Sequence, residues 1–271
     1  MALIPPFTKL AQRLSIVDVP NERKVNVCVI PRAGGLAMAL GAMVPILLWV
    51  PMDKTLISLL IGIVIILVFG VWDDRSDLDY RLKFLGQLIA ILVVVFPGGV
   101  VIESIPFSGF DPIPHYIAIP LTIITLLGIT NAINLADGLD GLAGGVTLLS
   151  FCGVAILAFI SENYPLTLFI LAVLGGVVGF LRYNAWPAQL FMGDAGSQFL
   201  GFTLGVAVIV LTLQAQAAIS PVVALMILGV PLLDTFAVMV QRIRNGSSPF
   251  AADRNHVHHK LLDLGFDHYG A

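Results

Sequence analysis

The chain has 271 residues, 58% hydrophobic and only 11% charged, where soluble domains carry about 25% charged residues. A single core of this size cannot enclose that much apolar surface, and the mean hydropathy of +0.97 agrees, so a cytosolic enzyme, a secreted disulfide module and a disordered hub are excluded. The net charge of −3 leaves no basic footprint for nucleic acid, and Cys28 and Cys152 form neither a disulfide framework nor a zinc spacing.

In chain order, the first 18 residues contain no apolar run ahead of a small-residue cleavage site, which predicts no signal peptide. Eight apolar segments follow, at about 34–51, 56–72, 84–101, 117–134, 142–160, 166–181, 197–213 and 219–240. Each is long enough to span or nearly span a bilayer. None alternates as a membrane strand would, so the expected fold is all-α and polytopic, with about eight transmembrane helices. Pro45, Pro120, Pro221 and Pro231 should kink the helices that hold them. Eight spans put both termini on one side, and 13 of the 14 Lys and Arg residues then sort to that side. Lys54 alone sorts to the other. The positive-inside rule makes the crowded face cytoplasmic.

That face also holds the polar motifs. The stretch Asp73-Asp74-Arg75-Ser76-Asp77-Leu78-Asp79 puts four carboxylates into seven residues at the inner end of the second span. Such a cluster suits a hard divalent cation with phosphate ligands, or reads as a solvated loop balanced by Arg75, Arg81 and Lys83. In Asn131-Ala-Ile-Asn134-Leu-Ala-Asp137-Gly-Leu-Asp140-Gly, the residues Asn134, Asp137 and Asp140 recur every three positions, so one helical turn would stack them. Polar groups at the edge of hydrocarbon point to use; a glycine-rich turn is the plainer reading. Phe191-Met-Gly-Asp194-Ala-Gly-Ser197 sets Asp194 at a helix N-terminus, as a cap or as a third acidic site. The tail Asp253-Arg254-Asn255-His256-Val257-His258-His259-Lys260 looks like a donor set for a phosphate-rich anion, or like an exposed amphipathic helix. Asp234 within the last span is a site or a structural pairing. The basic loop through Arg23, Lys24 and Arg32 reads as positive-inside charge.

VWDDRSDLDYRLKFLGQ, NAINLADGLDGLAGG, FMGDAGSQFLG and RNHVHHKLLDLG, in this order on one membrane face, together resemble the polyprenyl-phosphate N-acetylhexosamine-1-phosphate transferases. The resemblance runs from about Val19 to Gly265. It implies one membrane-embedded transferase domain over 1–271 and transfer of a sugar 1-phosphate, N-acetylglucosamine 1-phosphate above all, from a UDP-amino sugar to polyprenyl phosphate. UMP leaves, and the product feeds cell-envelope polysaccharides such as lipopolysaccharide or teichoic acid. The cofactor implied is Mg²⁺, with Mn²⁺ as a substitute. The catalytic residues implied are Asp73, Asp74 and Asp137; the metal residues are Asn134 and Asp194. Substrate contacts fall to Asp77, Arg81, Lys83, Asp140, Arg254, His256, His258 and His259. One of the paired aspartates has been proposed in the family as a base toward the lipid phosphate. That phosphate is already ionised near neutral pH, its second pKa being about 6. Organising metal or substrate is therefore at least as good a role for Asp73 and Asp74 as proton abstraction.

The departures are specific. The family has ten or eleven spans, against eight here, which leads us to expect a chain shortened at both ends. Asn26 stands where the family commonly has histidine, and Arg81 and Lys83 replace a Lys-then-Arg order. The rival readings are a phospho-MurNAc-pentapeptide transferase, a membrane transporter and an inactive truncated homologue. A transporter would gather its polar groups near the bilayer midplane, whereas here they collect at one face. The sequence leaves the oligomeric state open, a homodimer included.

Overall fold

The computed structural model describes residues 1–14, 16–18, 29–105, 112–214 and 221–246, together with 257, 260 and 264. Ten helices are seen among them: α1 (Ile4–Arg13), α2 (Gly34–Trp49), α3 (Lys54–Ser76), α4 (Tyr80–Val95), α5 (His115–Ala136), α6 (Leu142–Ile160), α7 (Tyr164–Asn184), α8 (Gly193–Gln214), α9 (Pro221–Ile227) and α10 (Gly229–Arg244). Two short antiparallel strands, β1 (Val17–Asp18) and β2 (Ile30–Pro31), pair Val17 with Pro31 and Asp18 with Ile30. The protein is a polytopic helical membrane protein. Five helices, α3, α5, α6, α7 and α8, are long and apolar enough to cross a bilayer. The first and third expected spans appear as the 16-residue helices α2 and α4. The segment expected as one span over 219–240 is two helices, broken at Leu228 between α9 and α10. Pro45 and Pro120 lie inside α2 and α5 as expected.

The bundle is arranged around α8, whose apolar length is almost wholly buried while the other crossing helices bury less than half of theirs. It packs against α2, α3, α5 and α6. Small residues allow the approach: a Cβ on Gly35 would lie 2.2 Å from the Gly196 Cα, and one on Gly70 would lie 2.4 Å from the Ala195 Cα. Without a hydrophobic drive between helices in lipid, such contacts carry much of the association. The segment ahead of α8 is further tied to the segment ahead of α2. Phe191 N–H donates to the Pro31 carbonyl at 2.9 Å, Gly34 N–H to Phe191 at 3.0 Å and Gly35 N–H to Met192 at 3.0 Å. That pairing carries Arg32 to the N-terminus of α8.

Candidate active site

The start of α8 is the centre of the site. Gly193 turns the chain with φ +73°, and a Cβ there would meet Asp74 Oδ2 at 2.5 Å, so no other residue fits. Asp74, near the end of α3, accepts from Asp194 N–H at 2.8 Å through Oδ1 and from Ala195 N–H at 3.1 Å through Oδ2. Both oxygens of this buried carboxylate are thus committed to backbone groups that a helix start leaves without partners. Its charge also complements the positive end of α8.

Asp73, one residue earlier, is 2% exposed. Its Oδ1 accepts from Leu78 N–H at 2.8 Å, which pins the α3–α4 turn. Its Oδ2 meets the Lys83 ammonium of α4 at 2.5 Å. The same ammonium reaches Asp194 Oδ1 at 3.5 Å, so Lys83 lies between two carboxylates from different helices. Asn134, in the last turn of α5, donates from Nδ2 to Asp194 Oδ1 at 2.8 Å and to Ser197 Oγ at 2.8 Å. A carboxylate only accepts, so the amide nitrogen, not its oxygen, faces Asp194. Asn134, expected as a metal residue, here holds Asp194 in place.

Asp137 follows α5 directly and is half-buried. Burial first, then the charges of Asp194 and Asp140, push its pKa up to about 7 against the lowering pull of Arg32. Arg32 is the site residue that the charge pattern did not reveal. Its Nε donates to Asp18 Oδ1 at 3.1 Å, and its Nη2 pairs with the same oxygen. It acts electrostatically on Asp74, Asp194 and Asp137. In the sequence it looked like one more positive-inside charge; the signal available was its place two residues before the Gly34-Gly35 pair on which α2 meets α8.

Other expected residues serve the surrounding frame. Asp140 Oδ2 accepts from Ala188 N–H at 2.9 Å, tying the α5–α6 turn to the loop before α8. Asn184 joins the same two loops, accepting from Gly141 N–H at 3.0 Å and donating to the Leu190 carbonyl at 2.9 Å. Asp77 is exposed at φ 45° where α3 ends. Arg81 is exposed and lies over the Tyr80 ring, 5.7 Å from its centroid. Neither has a contact with the Asp73–Lys83–Asp194 group among the described interactions. Asp234 Oδ1 accepts from Val257 N–H at 2.9 Å, which ties Val257 to α10. Arg254, His256, His258 and His259 themselves lie outside the described residues.

Whether this donor set suits Mg²⁺ turns on its chemistry. Among the described residues no three acidic or histidine side chains are gathered as a ready cage. Mg²⁺ seldom needs one, since one or two carboxylates with substrate phosphates and water complete its shell. Asp137 and Asp194 repel each other across the site, which is the condition a divalent cation relieves. Asp137 and Asp194 are the residues that could hold the ion. A separate apolar cleft of about 620 Å³ lies between the chain start, α2 and α7. No acidic or basic side chain lines it, and it is not part of the charged site.

Residues 56–212 match the family model of glycosyl transferase family 4. The chain is 35% identical over 270 residues to the probable undecaprenyl-phosphate N-acetylglucosaminyl 1-phosphate transferase of Bacillus subtilis, covering 99% of this chain and 75% of that protein. It is 31% identical over 274 residues to the undecaprenyl-phosphate alpha-N-acetylglucosaminyl 1-phosphate transferase of Yersinia pestis, covering 98% and 74%. It is 34% identical over 290 aligned positions to the decaprenyl-phosphate N-acetylglucosaminephosphotransferase of Mycobacterium leprae, covering 96% and 73%. With likeness over nearly its whole length and a family match across α3 to α8, the chain belongs to glycosyl transferase family 4.

Proposed function

We propose that this protein transfers N-acetylglucosamine 1-phosphate from UDP-N-acetylglucosamine to polyprenyl phosphate in a bacterial inner membrane, as the first membrane step of a cell-envelope polysaccharide. The names of its relatives support the substrates. The observation that carries the reading for this chain is the meeting of Asp73, Lys83, Asn134 and Asp194, from α3, α4, α5 and α8, in one contact group. In the topology we propose, the chain crosses the bilayer eight times, and its termini and this group face the cytoplasm. The Lys and Arg distribution supports that orientation.

In the reaction, a phosphate oxygen of the lipid attacks the β-phosphorus of the nucleotide sugar. The bond from that phosphorus to the bridging oxygen breaks, UMP leaves with the electron pair, and polyprenyl-diphospho-N-acetylglucosamine remains. Two anions must approach, so positive charge at the site is the main requirement. Lys83 and Arg32 supply it, held by Asp73 and Asp18 respectively. Mg²⁺, carried by Asp194 and Asp137, would supply the remaining neutralisation at the phosphates. Asp73 orients Lys83 rather than acting as a base, and Asp74 shapes the α8 start. By resemblance, Arg254 and the three tail histidines serve the diphosphate.

Membranes containing the protein, given radiolabelled UDP-N-acetylglucosamine and undecaprenyl phosphate, are expected to form lipid-linked label and UMP. EDTA should stop the reaction and Mg²⁺ restore it, and Asp194→Ala should lower turnover by at least a hundredfold. Folded protein that yields no lipid-linked label with any UDP-amino sugar would overturn the proposal.

A further inference from the structure

One helical turn farther into the bundle from the charged group lies a set of three amides. Gln87 Nε2 donates to Gln198 Oε1 at 3.1 Å and to Asn131 Oδ1 at 3.4 Å. Asn131 Nδ2 donates back to Gln87 Oε1 at 2.8 Å and also to the Leu127 carbonyl at 2.8 Å. Gln87 and Gln198 are each 2% exposed. The three residues come from α4, α5 and α8, the helices that carry Lys83, Asn134 and Asp194. In sequence, Gln87 follows Lys83 by four positions, Gln198 follows Asp194 by four and Asn131 precedes Asn134 by three. Spacings of three and four keep residues on one helix face, so the amides form a second layer under the charged one.

Apolar side chains in this place would satisfy the core at several helix rotations. Amides would not, because a buried amide without partners costs several kcal/mol, and all three pair only when the facing helices take one rotation each. The charged layer needs that restriction. Lys83 is 31% exposed at its side chain and reaches two carboxylates on two other helices. Turning α4 by about 20° would swing an ammonium roughly 6 Å from the helix axis through about 2 Å, enough to lose both contacts.

We propose that Gln87, Asn131 and Gln198 are positioning residues for transfer: they lock the rotations of α4, α5 and α8 at which Lys83 and Asn134 both bear on Asp194. The proposal rests on the transferase reading for its effect on rate, though its structural half stands without it.

Gln87→Met keeps the side-chain volume and removes every amide bond that Gln87 makes. In the membrane transfer assay its kcat should fall about ten- to hundredfold, a loss that a misplacement of even about 1 Å can cause. Because it strands the buried amide of Gln198, it should also lower the thermal midpoint of the detergent-solubilised protein, so the rate is taken per folded protein at a temperature well below the variant's midpoint. Gln87→Glu, which keeps an oxygen able to accept from Asn131 Nδ2, should restore part of the rate. Should Gln87→Met fail to accumulate, Gln198→Met, which leaves the Gln87–Asn131 pair intact and frees only the rotation of α8, should lower kcat in the same direction by a smaller factor. A readout free of turnover is crosslinking of K83C/D194C, with both native cysteines replaced by serine, using a short bis-methanethiosulfonate; its yield should drop several-fold on adding Gln87→Met. Unchanged kcat and crosslinking in Gln87→Met would overturn the positioning role, as would a rate loss matched by loss of folded protein. Wild-type protein inactive with every UDP-amino sugar sinks the transferase reading instead, and the crosslinking then decides the layer alone.

Discussion

Asp137, just beyond the end of α5, has a charge state set by burial first and by its neighbours second. Burial and the carboxylates of Asp194 and Asp140 raise its pKa to about 7, while an unfolded chain would leave it near 3.8. The folded state therefore binds the extra proton between those values, and linkage gives the sign. The stability associated with the protonated carboxyl is fully present below pH 4 and is lost as pH rises through 7. Asp137→Asn has no such proton to lose. In detergent without divalent cations, the midpoint of the variant minus that of wild type should grow from pH 4 to pH 7 and then level off. A difference that is flat across that range would remove Asp137 from the repulsive group. Lys83 and Arg32 belong to the same balance from the other side: each is a cation among carboxylates, held by one of them and available to an incoming phosphate.

At the scale of elements, the telling contact is the one between the end of α3 and the start of α8. Asp74 accepts from two consecutive backbone N–H groups, and Gly193 leaves room for it. Removing the acceptor strands both donors in a buried place, at a cost of about 1–3 kcal/mol each. Asp74→Ala should accordingly lower the thermal midpoint markedly, with activity falling as folded protein is lost. Asp74→Asn, which keeps one oxygen to accept, should lie between. If Asp74→Asn instead kept full stability while turnover vanished, the carboxylate would have a chemical role beyond holding α8. The contrast with Asp73 is instructive. The two aspartates are adjacent in sequence, yet one faces a helix terminus and the other faces a lysine, because successive residues of a helix point about 100° apart.

At the scale of the whole molecule, one end of the bundle carries almost all the chemistry. The ends of α3 and α5 and the starts of α4 and α8 meet there, with the α2 entry strand beside them. The opposite loops hold Lys54 and little else that is charged and basic. If the eight-crossing topology holds, an alkaline phosphatase reporter inserted at residue 53 or 162 should be active outside the membrane. One at 78, 138 or 188 should be silent. Activity at 78 would place the Asp73 group on the wrong side for a cytoplasmic nucleotide sugar. The 219–240 region bears on the same point, since the break at Leu228 turns one expected crossing into two shorter helices.

The apolar helices α2 to α8, their order and the gathering of Asp73, Asn134 and Asp194 were legible in the residues, whereas α1 and the break at Leu228 were not. Hydropathy and charge asymmetry are properties of short windows, and a bilayer converts them directly into position. What the sequence alone could not decide is how each helix is turned about its own axis. Lys83 meets Asp194 across 111 residues, and Asp74 accepts from the N–H of Asp194, 120 residues later, at the start of α8. No local pattern records such a pairing, so Asp74 as a cap, Arg32 as a site cation and the amide layer under the charged group emerge only once α8 is packed among its neighbours.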